Sequence, residues 1–329
     1  MTPTTSDAVD APVSSASEDT GASAASGTPA VAFDASVADG IVIVDKPAGL
    51  TSHTVVARVR RLAGTRKVGH AGTLDPMATG VLVVGLNRAT RLLGHLQLAS
   101  KSYDATMLLG ATSSTDDAEG ELTVSATPAA LAEVTAEAIE TAVTSYRGEI
   151  SQVPSKVSAI KVDGKRAYER VRAGEEVALK ARTVTISRYD VLDVRTVADG
   201  IEVDISVDCS SGTYIRALAR DLGADLGVGG HLTALRRTRV GAFDMSSAHT
   251  LEELGESFTM LPIADVAADT FPRFDADAEQ AAAIRTGRPL PGLKLTPDTQ
   301  TAMFAPDGTF LALYEPCGPL AKPTAVFVS

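Results

Sequence analysis

The chain has 329 residues, of which 44% are hydrophobic and 22% charged, which is typical of a globular protein with a large core. The formal net charge of −11 argues, over the whole chain, against a nucleic-acid partner. However, seven of the 41 acidic residues fall within residues 1–45, which contain no lysine or arginine. The remaining chain therefore has 34 acidic and 30 basic residues, and its local charge matters more than the sum.

The two cysteines, Cys209 and Cys317, lie far apart and indicate neither a disulfide framework nor a paired metal-ligand spacing. No apolar run reaches the length of a membrane span. The acidic N-terminus also lacks the features of a secretory signal or a transit peptide. These features predict a cytoplasmic protein.

Residues 1–38 are rich in Ala, Ser, Thr, Asp and Pro, and this composition predicts a disordered acidic tail. Order is expected from Gly40, where a β-branched run over 41–44 predicts a strand that ends in a turn over 45–49. Thr51 or Ser52 then offers an N-cap for a helix that ends near Gly64. Its apolar residues recur at helical spacing: Val55, Val56, Val59 and Leu62.

The second half of this helix and the residues just beyond it contain five basic residues and no acid: Arg58, Arg60, Arg61, Arg66 and Lys67. The helix dipole favours basic residues at a C-terminus, but five in ten residues exceed that need. The loop over 69–76 follows, with the sequence Gly-His-Ala-Gly-Thr-Leu-Asp-Pro. An aspartate before proline is usually a turn former, although a loop that feeds a buried strand is also a common place for chemistry.

The next elements follow from periodicity and turn residues. They are a strand over 81–86, a helix over 89–98, a strand over 101–109, a polar acidic loop over 113–121, a helix from Pro128 to about Tyr146 and an extended loop over 152–156. Residues 156–172 are mostly basic and include Tyr168, which suits either a solvated charged helix or an RNA-contacting arm.

Two alternating strands are predicted over 182–196 and 201–209. A helix after Gly212 places Arg216 and Arg220 together at i and i+4. A strand over 231–241 carries three arginines, and residues 250–268 are predicted to be helical, with an interruption at Pro262. From about Phe271, short strands between Gly and Pro predict a small, mostly β domain of roughly sixty residues.

Four segments carry a resemblance to a known family: Val44-Asp45-Lys46-Pro47-Ala48-Gly49, residues 69–76 with Ala78-Thr79-Gly80, Lys101-Ser102-Tyr103, and Ser211-Gly212-Thr213-Tyr214-Ile215-Arg216. In this order and spacing they resemble the TruB family of tRNA pseudouridine synthases. Residues 152–168 resemble that family's RNA-gripping loop, and Leu235-Arg236-Arg237 its last core strand. The resemblance covers about 40–265; the last sixty residues fit the PUA-like RNA-binding domain only loosely.

The resemblance implies an α/β (α+β) fold, with a mixed, largely antiparallel sheet, a catalytic cleft and a mostly-β, PUA-like C-terminal domain. We expect a tail over 1–38, a catalytic domain over 39–268 with the RNA-gripping region over 151–180, and the C-terminal domain over 269–329. The implied reaction isomerises uridine 55 in the T-loop of tRNA without cofactor or metal, and the sequence has no Walker loop or dinucleotide fingerprint. The implied partner is the tRNA T-stem-loop, bound by a monomer without a guide RNA.

The resemblance also implies roles for individual residues. Asp75 would be the essential carboxylate, which attacks C1′ or C6 as a nucleophile or removes a proton from C2′ as a base. Arg216 would pair with Asp75 and lower its pKa. The remaining contacts to the nucleoside would come from His70, which fills the space left by the flipped base, Tyr103, which stacks on the uracil, Tyr214 and Leu235, which wall its pocket, and Lys46, which holds the first turn or a phosphate.

Backbone phosphates would be met by Arg58, Arg60, Arg61, Arg66, Lys67, Lys161, Lys165, Arg166, Arg236, Arg237 and Arg239. Ser211 departs from the family, in which many members have lysine before Gly-Thr-Tyr, and we expect the loss of at most one phosphate contact. Three other functions fit parts of the pattern: a non-catalytic RNA-binding protein, a nucleoside or glycoside hydrolase, and a guide-RNA-dependent synthase. Sugar hydrolases usually need two carboxylates, and the loop over 69–76 has one.

Overall fold

The computed structural model describes residues 38–155, 161–162, 165–166 and 179–328. The predicted acidic tail, apart from its last residue, lies outside the described residues. Most of the basic segment over 156–172 lies outside them as well, and its described parts are two short paired strands, Lys161–Val162 and Lys165–Arg166.

The first half of the chain contains β1 (Gly40–Lys46), α1 (Ser52–Leu62), β2 (Val68–Ala71), β3 (Thr79–Leu86), a 3₁₀ helix (Asn87–Arg91), α2 (Leu93–Leu96), β4 (Lys101–Leu109), β5 (Ala111–Ser113), β6 (Leu122–Ser125), α3 (Pro128–Ala132), α4 (Ala136–Thr144), β7 (Gly148–Gln152), β8 (Lys161–Val162) and β9 (Lys165–Arg166). The second half contains β10 (Arg182–Val197), β11 (Gly200–Cys209), α5 (Ile215–Asp225), β12 (Gly230–Val240), β13 (Phe243–Asp244), a 3₁₀ helix (Met245–Ser247), α6 (Leu251–Glu256), β14 (Leu261–Pro262), α7 (Ile263–Thr270), β15 (Arg273–Asp275), α8 (Ala278–Arg285), β16 (Leu290–Pro291), β17 (Thr301–Phe304), β18 (Phe310–Cys317) and β19 (Leu320–Val326).

A ten-stranded sheet forms the centre of the fold, in the order β14-β1-β3-β12-β4-β11-β10-β7, with β13 on β12 and β2 on β3. The pairing of β12 with β3 is parallel and the other pairs are antiparallel. The predicted mixed, largely antiparallel sheet is therefore confirmed. A separate five-stranded sheet over 273–326, in the order β15-β17-β18-β19-β16, gives the C-terminal part its mostly-β character.

The register of the central strands positions the candidate site. Arg237 of β12 lies opposite Tyr103 of β4 on one side and opposite Gly80 of β3 on the other. The loop that carries Asp75 connects β2 to β3, so it emerges beside these residues. Chain segments far apart in sequence thus meet at one end of three adjacent strands.

Both faces of this sheet are covered. On one face, α1 buries Val55, Val56 and Val59, and α5 buries its apolar side, in a core that also contains Tyr103 and Leu235. On the other face, residues of β1, β3 and the segment after β3 pack against apolar residues of the C-terminal sheet. Alternate residues of β1 serve the two cores, as a strand with two buried faces requires.

Helix α1 matches its predicted boundaries because the Thr51 hydroxyl accepts a hydrogen bond from the Thr54 amide and caps its start. The helix predicted after Gly212 is confirmed as α5, whereas two other helices differ from their predictions. The helix predicted over 89–98 is a 3₁₀ turn followed by the four-residue α2. The helix predicted over 128–146 is divided into two, because Thr135 caps a new helix through the Ala138 amide.

Other differences concern segments that were predicted as loops. Residues 69–71 belong to β2, which pairs with β3, so the irregular part of the Asp75 loop begins at Gly72. Residues 148–152 form an edge strand on β10. The C-terminal part also contains a helix that the sequence analysis missed, α8, which starts with a capping box between Asp277 and Gln280. Among the described helices, none combines the length and the apolar run that crossing a membrane would require.

Gly80 provides a test of the close packing of β3 against β12. It has φ +95°, and a Cβ added there would lie 2.2 Å from the Arg237 carbonyl oxygen, which is backbone that cannot move aside. We expect Gly80→Ala to lower the free energy of unfolding by more than about 3 kcal/mol, as measured by urea denaturation. Gly255→Ala is the control, because no atom lies within 4 Å of its added Cβ. A Gly80→Ala protein as stable as this control would contradict the packing described here.

Candidate active site

A cleft of about 440 Å³ opens at the end of the three central strands, a size within the usual range for ligand sites. Six of the predicted site residues line it: Asp75, Tyr103, Tyr214, Arg216, Leu235 and Arg237. Its other walls come from Gly72–Leu74, from residues 94–101 and from the turn over 211–213. Arg237 lines the cleft from its floor.

Two side chains, Ser52 and Lys46, hold the Asp75 loop through hydrogen bonds to its backbone. The Ser52 hydroxyl accepts a hydrogen bond from the Leu74 amide at 2.9 Å and donates one to the Leu74 carbonyl at 3.0 Å. On the other side of Asp75, the Lys46 ammonium donates to the carbonyls of Pro47, Pro76 and Ala78 at 2.9, 3.1 and 2.5 Å. Asp75 is therefore held between two anchored positions.

These bonds correct the sequence interpretation of Lys46. The side chain is fully buried, burial lowers its pKa to about 8, and its three donors are bound to backbone carbonyls. A contact from Lys46 to a substrate phosphate is therefore wrong, and the alternative, that it holds the first turn, agrees with the structure.

One guanidinium joins two carboxylates at the back of the cleft. The Nε atom of Arg216 lies 3.1 Å from Asp75 Oδ2, and its Nη1 atom lies 3.0 Å from Asp117 Oδ2 and donates to the Thr115 carbonyl at 2.8 Å. The side chains of Arg216 and Asp117 are 5% and 2% exposed, whereas that of Asp75 is 36% exposed. Asp75 is thus the member of this triad that a ligand in the cleft can contact.

Asp117 was not among the predicted site residues, because it falls in the segment that was predicted as a polar acidic loop over 113–121. The Asp117 carboxylate also accepts hydrogen bonds from the Thr115 hydroxyl at 2.5 Å and the Glu119 amide at 3.0 Å. These contacts fold the loop into a tight turn that buries the carboxylate. The run Thr-Asp-Asp-Ala-Glu has the composition of an exposed turn, so local composition gave no signal of this burial.

The pKa of Asp75 is shifted in the direction opposite to the prediction. Burial raises the pKa of the Asp75 carboxyl, and this effect exceeds the lowering by Arg216. The Asp117 charge also raises it, while Lys46 and Arg237 lower it. The expectation that Arg216 sets a low pKa for Asp75 is therefore wrong.

Arg237 forms the floor of the cleft and is 1% exposed. Its Nε donates to the Val81 carbonyl at 2.7 Å and its Nη2 to the Gly72 carbonyl at 3.0 Å, so it ties β3 to the start of the Asp75 loop. The Arg237 charge also acts on the Tyr103 phenol and lowers its pKa, against the larger effect of burial. The prediction that Arg237 meets a backbone phosphate is wrong, because a side chain this deeply buried cannot reach one.

The apolar walls of the cleft are equally fixed. Tyr103 and Leu235 are each 8% exposed, and burial raises the pKa of the Tyr103 phenol, which stays neutral. The buried Gln152 amide accepts from the Tyr214 amide at 2.8 Å and donates to the Tyr214 carbonyl at 3.0 Å. The Arg182 guanidinium lies 5.6 Å from the centroid of the Tyr214 ring. The lining of the cleft therefore combines two tyrosines and a leucine with one carboxylate.

His70 lies outside this lining, on β2, and is half-buried. Its ring meets the edge of the His53 ring, with centroids 5.5 Å apart and planes at 86°. Burial lowers the pKa of His70, and the neighbouring His53 and Arg237 lower it further. The imidazole is therefore neutral at neutral pH, which suits packing against an uncharged base.

The predicted phosphate contacts differ in their surroundings. Arg58, Arg61, Arg66 and Lys67 are exposed, and Arg60 and Arg239 are partly exposed. Arg236 pairs with Asp45 at 2.7 Å and, with Arg58, lines a second cavity of about 350 Å³. Lys161, Lys165 and Arg166 lie on β8 and β9. Within the described ranges, no group of three or more His, Cys, Asp or Glu could hold a metal ion.

Comparison with protein families gives three matches along the chain. Residues 60–215 match the family described as TruB family pseudouridylate synthase (N terminal domain). Residues 216–262 match the tRNA pseudouridylate synthase B C-terminal domain, and residues 271–328 match tRNA Pseudouridine synthase II, C terminal.

Curated proteins named tRNA pseudouridine synthase B are similar over most of the chain. The Streptomyces griseus protein is 55% identical over 294 residues, 88% of this chain and 97% of its own length. The Cutibacterium acnes protein is 57% identical over 279 residues, 84% of this chain and 93% of its own.

Solved structures share the fold at lower identity. A Cbf5-Nop10-Gar1 complex contains a chain with TM-score 0.68 and 26% identity, matched over 91% of this chain and 86% of that one. A chain of an H/ACA RNP bound to a substrate RNA containing 2′-deoxyuridine gives TM-score 0.67 and 25% identity, over 88% and 85% of the two chains.

The raised pKa of Asp75 gives a testable dependence of stability on pH. Because its folded pKa lies above its unfolded pKa, folding favours the protonated form, and stability is lost as pH rises through the folded pKa. Asp75→Asn removes this cost, so we expect the variant to unfold at a higher temperature than the wild type at pH 7.

This advantage should shrink as the pH falls below the ordinary range of an aspartate, where the carboxyl is protonated in both states. Thermal unfolding of both proteins between about pH 3 and about pH 8 measures this change, because that interval extends from below the ordinary pKa of aspartate to above neutral pH. Asp190→Asn, on the outer strand β10, is the control, since Asp190 is 46% exposed. If Asp75→Asn were less stable than the wild type at pH 7, the ion pair with Arg216 would outweigh burial, contrary to our account.

Proposed function

Because the chain belongs to the TruB family and is a tRNA pseudouridine synthase, an isomerase, we propose that its target is uridine 55 in the T-loop and that Asp75 is its essential carboxylate. One observation carries this assignment. Among the described residues that line the cleft, Asp75 is the one acid, and it shares the lining with two tyrosines.

The shape of the cleft suits a flat base turned out of the RNA. A base within a folded loop must be flipped before its glycosidic bond can be reached, at a cost of a few kcal/mol. Stacking on an aromatic side chain recovers about 1–3 kcal/mol per base. Tyr103, Tyr214 and Leu235 supply that stacking surface, and the neutral His70 at the rim fills the space the base has left.

The reaction balances within the nucleotide itself. The C1′–N1 bond breaks, the uracil turns, and a C1′–C5 bond forms; the proton on C5 leaves and N1 gains a proton. Attack by Asp75 at C1′ or C6, and proton removal at C2′, all require an ionised carboxylate in contact with the nucleoside. The anchors at Ser52 and Lys46 hold that carboxylate in place before the substrate arrives.

The burial of the second carboxylate, Asp117, argues against hydrolysis of the glycosidic bond. Glycoside hydrolases usually place two carboxylates around the bond, one of them to activate water. Asp117 is 2% exposed and bound to Arg216, so it cannot reach a sugar in the cleft. The geometry thus favours an isomerisation, in which the freed base is retained and rejoined.

The RNA partner would be held by the exposed basic residues of the second half of α1 and of the segment after it, through phosphate contacts that add affinity without base identity. Arg61 and Lys67 are two of these exposed residues, and they precede the Asp75 loop directly. We propose that the monomeric protein grips the T-stem-loop in this way and needs no guide RNA. The predicted RNA-gripping region over 151–180 lies mostly outside the described residues and stays a prediction.

Incubation with an unmodified tRNA transcript, followed by pseudouridine mapping, tests the proposal. We expect the wild type to convert position 55 without added RNA, metal or cofactor, and Asp75→Ala to form no detectable product because the reacting carboxylate is gone. Asp190→Ala, an exposed carboxylate on β10, should keep full activity.

Four results would contradict the proposal in different ways. Free uracil in the wild-type reaction would indicate hydrolysis. Product at another position would contradict the T-loop target, and product only after addition of a second RNA would contradict guide independence. Pseudouridine formation by Asp75→Ala would refute the assigned site.

Asp117 should act through Arg216 rather than on the RNA. In Asp117→Asn, Arg216 loses one of its two carboxylates and with it part of the force that aims it at Asp75. We expect a fall in the single-turnover rate of about 10- to 100-fold, as for small misplacements of reacting groups, with an unchanged dissociation constant for tRNA.

The pH profile distinguishes this role from a purely structural one. The Asp117 charge raises the pKa of Asp75, so its removal should move the acid limb of the pH–rate profile to lower pH. Asp116→Asn, the adjacent residue, which pairs with Arg220 at 3.1 Å, is the matched control and should leave the limb in place. A loss of tRNA affinity without a shift of the limb would show that Asp117 only supports the fold.

A further inference from the structure

Leu98 stands at the mouth of the cleft and is 73% exposed, more than any other large apolar side chain in the described part of the chain. A single exposed leucine needs no explanation by itself. Its surroundings, however, show that this exposure is built into the fold and does not result from a loose segment.

The segment before Leu98 buries its own leucines in the core. Leu92, Leu93 and Leu96 pack into the core between the sheet and the C-terminal strands. Leu98 points away from them and lines the same cleft as Asp75 and Tyr103. It is therefore not required by the core that the rest of this segment serves.

A buried lysine holds the turn that presents Leu98. The Lys101 ammonium donates to the carbonyls of Gln97 and Ala99, on either side of Leu98, at 2.5 and 2.7 Å. Lys101 is 6% exposed, and burial lowers its pKa to about 8. Burying a charge is costly unless it is well bonded, so this lysine fixes the turn firmly.

The end of the turn is also tied to β12 and the residue after it. The Gly241 amide donates to the Ser100 carbonyl at 2.9 Å, and Arg239 donates to the Ser100 hydroxyl at 3.2 Å. The turn over 97–101 is thus rigid, and a rigid apolar side chain can pack on a ligand at little entropic cost.

We propose that Leu98 positions the tRNA by packing against the base of a nucleoside directly next to the flipped uridine; this rests on the proposed function of the Asp75 cleft. When a base leaves the stack, the face of its neighbour loses a partner and is exposed to water. An apolar side chain fixed at the mouth of the cleft covers that face. The continuity of the turn with the cleft makes the RNA the occupant.

The test compares Leu98→Ala with Leu192→Ala, a leucine that is 61% exposed on β10 and outside the cleft lining. For Leu98→Ala we expect the dissociation constant for an unmodified tRNA transcript to rise about five- to tenfold, as for the loss of a partly buried leucine contact. The single-turnover rate at saturating RNA should change less than about twofold. Leu98→Met should restore affinity, and Leu192→Ala should bind as the wild type does.

RNA variants locate the contact. Two T-stem-loops are used, one with an abasic nucleotide before the target uridine and one with an abasic nucleotide after it. The RNA that lacks the partner base of Leu98 should be bound equally by the wild type and Leu98→Ala, whereas the other RNA should keep the difference. A penalty that persists on both abasic RNAs, or no penalty on the intact RNA, overturns the proposal.

Thermal unfolding of the free proteins excludes a structural role. We expect the midpoint of Leu98→Ala to stay within about 1 °C of the wild type, since an exposed side chain contributes little to stability. A larger drop would mean that Leu98 packs within the protein, which overturns the proposal. A wild type that binds tRNA but forms no pseudouridine would refute the proposed function and leave these binding comparisons intact.

Discussion

The shared guanidinium of Arg216 is the contact on which the arrangement of the cleft depends. It brings together the loop before β3, which carries Asp75, the turn after β5, which carries Asp117, and the first turn of α5. A buried ion pair contributes little net stability, because desolvation offsets the attraction, but removal of one partner leaves a costly unpaired charge. The triad therefore fixes geometry more than it stabilises the fold, and its excess negative charge lies at Asp75, the exposed member.

Buried polar side chains extend this principle to the rest of the site. Lys46, Ser52, Gln152 and Arg237 use their hydrogen bonds on backbone groups of the segments that line the cleft. Each such residue is expensive to bury and is satisfied by local backbone. Because these donors are already spent, the site reaches its working geometry before RNA binds, which is how preorganised dipoles and charges lower a barrier. The same burial of the site raises the pKa of Asp75.

Periodicity and turn residues predicted most of the secondary structure, and the family resemblance singled out Asp75 and Arg216. The errors have one physical origin. A sequence shows where charges are but not whether they are buried, so a phosphate contact was predicted for Arg237 and left open for Lys46, although both side chains lie inside the fold. Asp117 was overlooked for the same reason. The shift of the Asp75 pKa was predicted in the wrong direction, because desolvation depends on tertiary packing. The division of the helix over 128–146 at Thr135 reflects a competing cap that periodicity cannot weigh.

The acidic composition of the chain is compatible with an RNA partner because its charges are separated in space. On the outer strands, Arg188 and Arg195 are enclosed by carboxylates of β10 and β11, so this face carries an excess of acid. Among the described residues, the ion pairs do not include Arg61 or Lys67, which stay exposed beside the Asp75 loop. A polyanion therefore meets repulsion on one side and attraction on the other. We propose that this difference orients the RNA towards the cleft, where the proposed contacts to the flipped base and its neighbour are neutral rings and a leucine and not further positive charge.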